Sequence, residues 1–311
     1  MGSGNCNDSE NKLSTRNKLS LSKKVKEASI HGCFLFNGLL VILILIGIFA
    51  LLVWASIPAF KEISIKEFLF SFNWNPTSYV KPSYGILSML VSTLMVTIGA
   101  MIFAVPISIG TAAFISDIAS SRVREIAKPV VEILASIPSV VIGFIGITLV
   151  GPYIAKIFNL PDGLNAINGS ILLGVMALPT IISLTEDALK GVPKSYTEAS
   201  LALGATKWQT IIRVRIPAAA SGIIAAVMLG MGRAIGETMT VLMATGCANA
   251  MPTSFTDSVR TMTSAIAIEL GEVAYGSTHY YALFAVGLAL FLITFAVNLT
   301  ADIIFNRRPK L

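Results

Sequence analysis

The sequence predicts an all-α polytopic membrane protein with about six transmembrane helices, and three observations carry that prediction. The chain is 54% hydrophobic and only 13% charged, with a mean hydropathy of +0.77, well above the balance of a water-soluble domain. Uncharged runs extend from Ala28 to Phe60, Pro82 to Ser116, Ile133 to Ala155, Gly163 to Thr185 and Val273 to Ala301. Each exceeds the roughly 20 apolar residues a spanning helix needs. A sixth run, Ile216 to Thr256, is interrupted only by Arg233 and Glu237. Third, the basic residues alternate with these runs: seventeen Lys and Arg fall on one side and five on the other. The positive-inside rule then puts both termini in the cytoplasm. A net charge of +6 spread in this way describes membrane topology and argues against a nucleic-acid surface.

Residues 1–33 form a cytoplasmic N-terminal tail, whose first 27 residues are rich in Ser, Asn and Lys and read as mobile. The first helix, about 34–57, is too long in its apolar stretch for a signal peptide, and Ser56-Ile57-Pro58 makes a poor cleavage site. An outside loop follows with Asn73-Trp74-Asn75-Pro76 and Pro82-Ser83-Tyr84-Gly85, whose aromatic residues suit the interface. Helices two and three are expected over about 86–115 and 130–155. Pro106 and Pro138 fall inside them and should kink or interrupt them. Helix four is placed over about 167–185, helix five over 217–247 and helix six over 281–305. Met262 to Gly276 reads as a short outside helix lying on the core, and 306–311 as a cytoplasmic tail. The transmembrane domain thus covers 34–305. Cys6, Cys33 and Cys247, with His31 and His279, have neither paired nor metal-ligand spacing. Cys at position 6 breaks the myristoylation pattern that Met1-Gly2 begins.

The loop between helices four and five carries the most local information. Ser195 with Glu198, and Thr206 with Gln209, have capping-box spacing, which predicts two short helices over about 196–203 and 207–215. Gly204 falls between them, where a left-handed residue ends a helix. A helical hairpin over 188–217 results, with Leu201, Ala202, Ala205, Trp208 and Ile212 available for burial. Physical reasoning alone leaves two readings: a connection folded back on its own helices, or a docking surface for a cytoplasmic partner.

At Glu198-Ala199-Ser200, Gly204 and Val214-Arg215-Ile216-Pro217 the chain resembles the EAA loop of binding-protein-dependent ABC importer permeases, E-A-A-x3-G-x9-I-x-L-P. It departs from that pattern at Ser200, Val214 and Ile216 by small or apolar exchanges. Arg233-Ala234-Ile235-Gly236-Glu237-Thr238-Met239, Ile137 to Gly143, Asn73 to Pro76 and Ala104 to Ile107 are further similar to phosphate-specific permeases of the PstC type. The resemblance implies a type I ABC importer permease fold in the cytoplasmic (inner) membrane. It also implies a second permease chain of the PstA type, ATPase subunits that hold ATP and Mg and dock on Glu198, Ala199, Gly204 and Pro217, and an extracytoplasmic phosphate-binding protein. No cofactor, metal or catalytic residue is expected in this chain, and no nucleic acid. No G-x4-G-K-[ST] phosphate loop occurs, so ATP hydrolysis belongs to a partner.

Arg233 and Glu237 stand alone in their apolar run, where a charge costs roughly 2.5 to 3.5 kcal/mol at mid-membrane. On a helix, positions i and i+4 share a face, so the two are expected to pair. A buried ion pair holding helices together is one reading, although such pairs add little over apolar packing. The other is that Arg233 meets the transported anion, since guanidinium is a planar fork matched to phosphate oxygens. Glu237 would then accept a hydrogen bond from a protonated phosphate oxygen, which sulfate lacks near neutral pH. Ser139 and Thr238 are candidate further donors on the substrate path. Sulfate or molybdate import, or a non-transporting membrane scaffold, are the competing functions.

Overall fold

The computed structural model describes the backbone of residues 6–78 and 81–306 and the side chains of 30–78, 81–300 and 302–303. The chain divides into two compact units, Met1–Trp54 and Ala55–Leu311. Among the described residues the first is a single stretch of helix, part of α1 (Cys6–Glu62), whose large apolar side chains from Phe34 to Ile46 are all exposed. The helix starts far earlier than expected. Residues 6–33 continue it backwards: they contain no proline, and extending an existing helix avoids the cost of nucleation.

Within the second unit, α2 (Ile65–Phe70) leads to a two-stranded ribbon of β1 (Trp74–Asn75) and β2 (Ser83–Tyr84), with Trp74 opposite Tyr84. Helix α3 (Leu87–Ala113) passes through Pro106 without a break and ends in a wide π-turn at Phe114–Ile118. Pro138 does break its helix. The expected third helix is divided into α4 (Ser121–Ser136), which starts nine residues before its expected position, and α5 (Ser139–Ile145). Ile137, before the proline, is extended (φ −65°, ψ 127°), as the clash with the proline ring demands. A second π-turn, Gly146–Val150, joins α5 to α6 (Gly151–Phe158). Then come α7 (Ala166–Lys190), α8 (Lys194–Ala202), α9 (Lys207–Thr210), α10 (Ile216–Ala218), α11 (Ala220–Ile235), α12 (Met239–Ala244), α13 (Met262–Glu269) and α14 (Thr278–Asn306). Among the described residues five helical spans are long and apolar enough to cross a membrane. They become six if the pair Lys207–Ala218 and Ala220–Ile235, bent by 71°, counts as one.

The centre of this unit is α7, the most buried of the spans. It lies against α3 through small residues, which let two backbones approach where lipid supplies no hydrophobic drive. Ser170 donates to the carbonyl of Val96 at 3.2 Å, and a Cβ on Gly99 would stand 2.4 Å from the Ser170 hydroxyl. Val96, Ala100 and Ala104 of α3 and Leu173, Ala177 and Ile181 of α7 share one core with Ala234 and Val241.

Helix α13 forms where a surface helix was expected, but its first turn is inserted into the core. Met262, Ser264 and Ala265 are wholly buried, and the Met262 N–H donates to the Thr93 hydroxyl of α3 at 3.1 Å. A polar knot secures its other end. Glu269 accepts from Trp74 Nε1 at 2.9 Å, pairs with Arg260 at 2.8 Å and meets His279 Nε2 at 2.7 Å, while Asn249 donates to the Trp74 carbonyl. Burial pushes the Glu269 carboxyl up, but the hydrogen bonds from His279 and Trp74 and the charge of Arg260 outweigh it and hold the group below the usual glutamate range.

The hairpin follows the sequence pattern in its second half. Thr206 and Gln209 form the reciprocal capping box, at 3.2 and 2.9 Å. Gly204 takes φ +82°, its N–H bonded to Leu201 O and that of Ala205 to Ser200 O, which is a Schellman ending. The Ser195 and Glu198 box is absent: α8 begins at Lys194 after Pro193, so Ser195 already lies within the helix. Ser200, which departs from the EAA pattern, makes a 3.0 Å hydroxyl bond to Thr210 across the hairpin. At the base, Arg215 pairs with Asp117 and donates to the Leu189 carbonyl at 2.6 Å, which joins the ends of α3 and α7 to the hairpin exit.

Two outcomes follow from these contacts. Replacing Gly204 with Ala should cost roughly 1 to 2 kcal/mol locally, so amide exchange at residues 204 and 205 should quicken by about tenfold in a hydrogen-exchange measurement. Because the folded Glu269 carboxyl is depressed, its stabilisation is complete above the unfolded glutamate pKa, about 4.3, and is lost as pH falls through the lower folded value. Glu269→Gln should therefore lower the thermal midpoint at pH 7 and narrow its gap to the parental protein as acid is added.

Candidate functional site

The apolar run that carries Arg233 and Glu237 is not one helix. Helix α11 stops at Ile235; the Gly236 N–H closes onto Gly232 O and that of Glu237 onto Ala234 O, and α12 begins at Met239 after three intervening residues. The expected pairing of Arg233 with Glu237 does not form, because the helix ends between them and the shared face of positions i and i+4 is lost. Arg233 instead donates through Nη1 to the Thr180 hydroxyl at 3.0 Å. The remaining guanidinium nitrogens have no protein acceptor among the described residues, and the side chain is exposed on this chain.

Close packing of α11 on α7 sets that contact. A Cβ on Gly230 would meet Ile181 at 2.5 Å, so only glycine lets α7 approach this near, and Ile181 directly follows Thr180. Glu237 has a different task. Its Oε1 accepts from the Thr240 N–H at 3.3 Å and its carbonyl accepts from the Thr263 hydroxyl of α13 at 2.8 Å. The carboxylate thus serves one of the free N–H groups at the start of α12.

The two broken helices meet beside their breaks. Thr240 donates to the Ser139 carbonyl at 3.0 Å, immediately after Pro138, and a Cβ on Gly143 would stand 2.9 Å from Met243 Sδ. Ser139 and Thr238, expected on the path, therefore lie close to the same junction, each within two residues of the Thr240 to Ser139 bond. Ser136 bonds its own backbone at Ile133 O, 2.7 Å away, as membrane-helix hydroxyls commonly do. Interrupted helices around a polar position are how membrane folds build anion and ion sites within an apolar layer. Chemically, this junction offers a guanidinium without a carboxylate partner, a half-buried carboxylate and several hydroxyls.

Earlier in the chain, in the hairpin, Glu198, Ala199, Gly204 and Pro217 are exposed, as are Leu203 at 90% and Trp208 at 61%. The hairpin is not folded back with these side chains against its own helices. Sequence reasoning missed Thr180 and Thr240, and it missed the pairing of Arg215 with Asp117. A hydroxyl immediately after Pro179 in an uncharged run was the available signal for Thr180.

Residues 104–309 match the family described as the binding-protein-dependent transport system inner membrane component. A probable ABC transporter permease protein of Bacillus subtilis, YqgH, is 42% identical over 242 residues, 78% of each chain. The phosphate transport system permease protein PstC 1 of Mycobacterium tuberculosis is 37% identical over 70% of this chain and 71% of its own. PstC of Pasteurella multocida is 31% identical over 88% and 90%. In fold, the chain is similar to a bacterial ABC transporter that imports alginate (TM-score 0.61, 17% identity, 94% and 100% covered) and to the MetNI methionine ABC transporter (0.53, 21%, 71% and 93%). From the match over residues 104–309 and these relatives, the chain belongs to the binding-protein-dependent inner membrane components, the multi-pass permeases of ABC importers.

Proposed function

We propose that this chain is the permease subunit that forms half of the membrane path of an ATP-driven inorganic phosphate importer. Its partners are a second permease of the PstA type, a pair of ATPase subunits and an extracytoplasmic phosphate-binding protein, and both termini face the cytoplasm. The observation that carries the reading is Arg233, a cation in an apolar run held by a neutral hydroxyl at 3.0 Å and not by a carboxylate. The names of the PstC relatives support phosphate as the substrate.

In this reading the guanidinium receives the anion at the junction of the broken helices, where low dielectric strengthens the attraction. Its unbonded nitrogens match two phosphate oxygens. Glu237 keeps one oxygen on the Thr240 N–H and offers the other to the proton of hydrogen phosphate, which disfavours the fully ionised sulfate. Ser139 and Thr238 supply hydroxyl donors. Glu198, Ala199 and Gly204 present the hairpin to an ATPase subunit. Pro217 carries its movement into α11, which rises about 20 Å from Ala220 to Arg233 at 1.5 Å per residue.

In vesicles holding the complete complex, Arg233→Lys should reduce ATP-dependent phosphate uptake by tenfold or more, since a point charge replaces the fork. Glu237→Gln should reduce discrimination against sulfate in a competition assay. Parental uptake in the first and parental selectivity in the second would remove the two residues from the path. Gly204→Asp should abolish stimulation of ATPase activity by loaded binding protein; undiminished stimulation would sink the docking role of the hairpin.

A further inference from the structure

We infer that Thr180 is a positioning residue of the anion site, holding one arm of Arg233 so that its remaining nitrogens are presented without neutralising its charge. The inference rests on the reading of Arg233 given above. An arginine side chain carries about 2 kcal/mol of rotamer entropy, and an arm free in a cavity gives up that freedom each time an anion binds. Anchoring Nη1 in advance removes part of that cost, as preorganisation does in any site. A carboxylate in the same place would anchor the arm more strongly but would compete with the incoming anion. An aliphatic side chain would not anchor it at all. A threonine hydroxyl sits between these extremes: it accepts the 3.0 Å hydrogen bond and carries no charge.

The surroundings make Thr180 a stiff support. It lies on α7, the most buried span, between the buried Pro179 and Ile181, and it is β-branched, which limits χ1. Ile181 fills the space left by Gly230, within 2.5 Å of where a Cβ would be, so the separation of α7 from α11 is fixed next to the hydrogen bond. Glu237, the carboxylate nearest in sequence, turns one oxygen to the Thr240 N–H at the N-terminus of α12 and not to the guanidinium. The structure thus gives the anchoring of the cation to Thr180, where the sequence alone gave it to Glu237, and leaves Glu237 to cap the broken helix.

Uptake kinetics of the reconstituted complex test this. Thr180→Val keeps the shape and removes the oxygen, so KM for phosphate should rise by about tenfold while kcat changes less, in line with loss of a hydrogen bond to a charged group. Thr180→Ser should restore KM to within about twofold, and Thr180→Val should add nothing to KM in an Arg233→Lys background. Thr180→Ala removes the same oxygen with less bulk and serves if the valine variant fails to assemble. Parental KM in the variants lacking oxygen, or a serine variant as impaired as valine, would overturn the inference. If Arg233→Lys itself transports with parental kinetics, the anion-site reading fails; if only the Thr180 variants do, that reading stands and the positioning role falls.

Discussion

Every backbone polar group left unpaired in an apolar layer costs several kcal/mol, and two helices of this chain stop inside such runs. Two threonine hydroxyls bond backbone carbonyls at these stops. Thr240 reaches the carbonyl of Ser139 after the proline break, and Thr263 reaches the carbonyl of Glu237 in the glycine break. The Glu237 carboxylate adds an acceptor for the Thr240 N–H. The first of these bonds ties the two broken helices to each other, and the second ties the glycine break to α13. The insertion of α13 into the core, anchored by Met262 and held at its far end by Glu269, brings Thr263 within reach.

A free cation follows from the same arrangement. With α11 ended at Ile235, Arg233 and Glu237 no longer share a helical face, and the guanidinium turns to Thr180. Desolvated ion pairs cancel much of each other's field, whereas a hydroxyl leaves the cation's field intact for an oxyanion. Breaking the helix thus changes the electrostatics of the junction as well as its shape.

At the helical hairpin the logic is different. Arg215 ties Asp117 and the end of α7 to the hairpin base, and Glu186, buried, takes Lys190 at 2.5 Å. These contacts make the base rigid while Leu203 and Trp208 remain uncovered. An exposed apolar rim on a rigid base is suited to receive a partner and to pass its movement onward, because packed elements shift as bodies and do not deform continuously.

Much of this was legible from the chain itself. Hydropathy located the spans because lipid enforces long apolar runs, and the Thr206 box and the left-handed Gly204 were readable because caps and turns depend on neighbours within a few residues. Pro138 announced its break for the same local reason. Only the tertiary structure decided that Pro106 passes unbroken, that α11 ends at Ile235, that α13 is inserted with its first turn buried, and that Arg233 finds Thr180, 53 positions earlier. Those outcomes turn on which helices approach closely enough to satisfy a freed carbonyl or hold a guanidinium. Such approaches are set by packing between distant segments, as at Gly230 and Ile181, and distance along the chain carries no record of them.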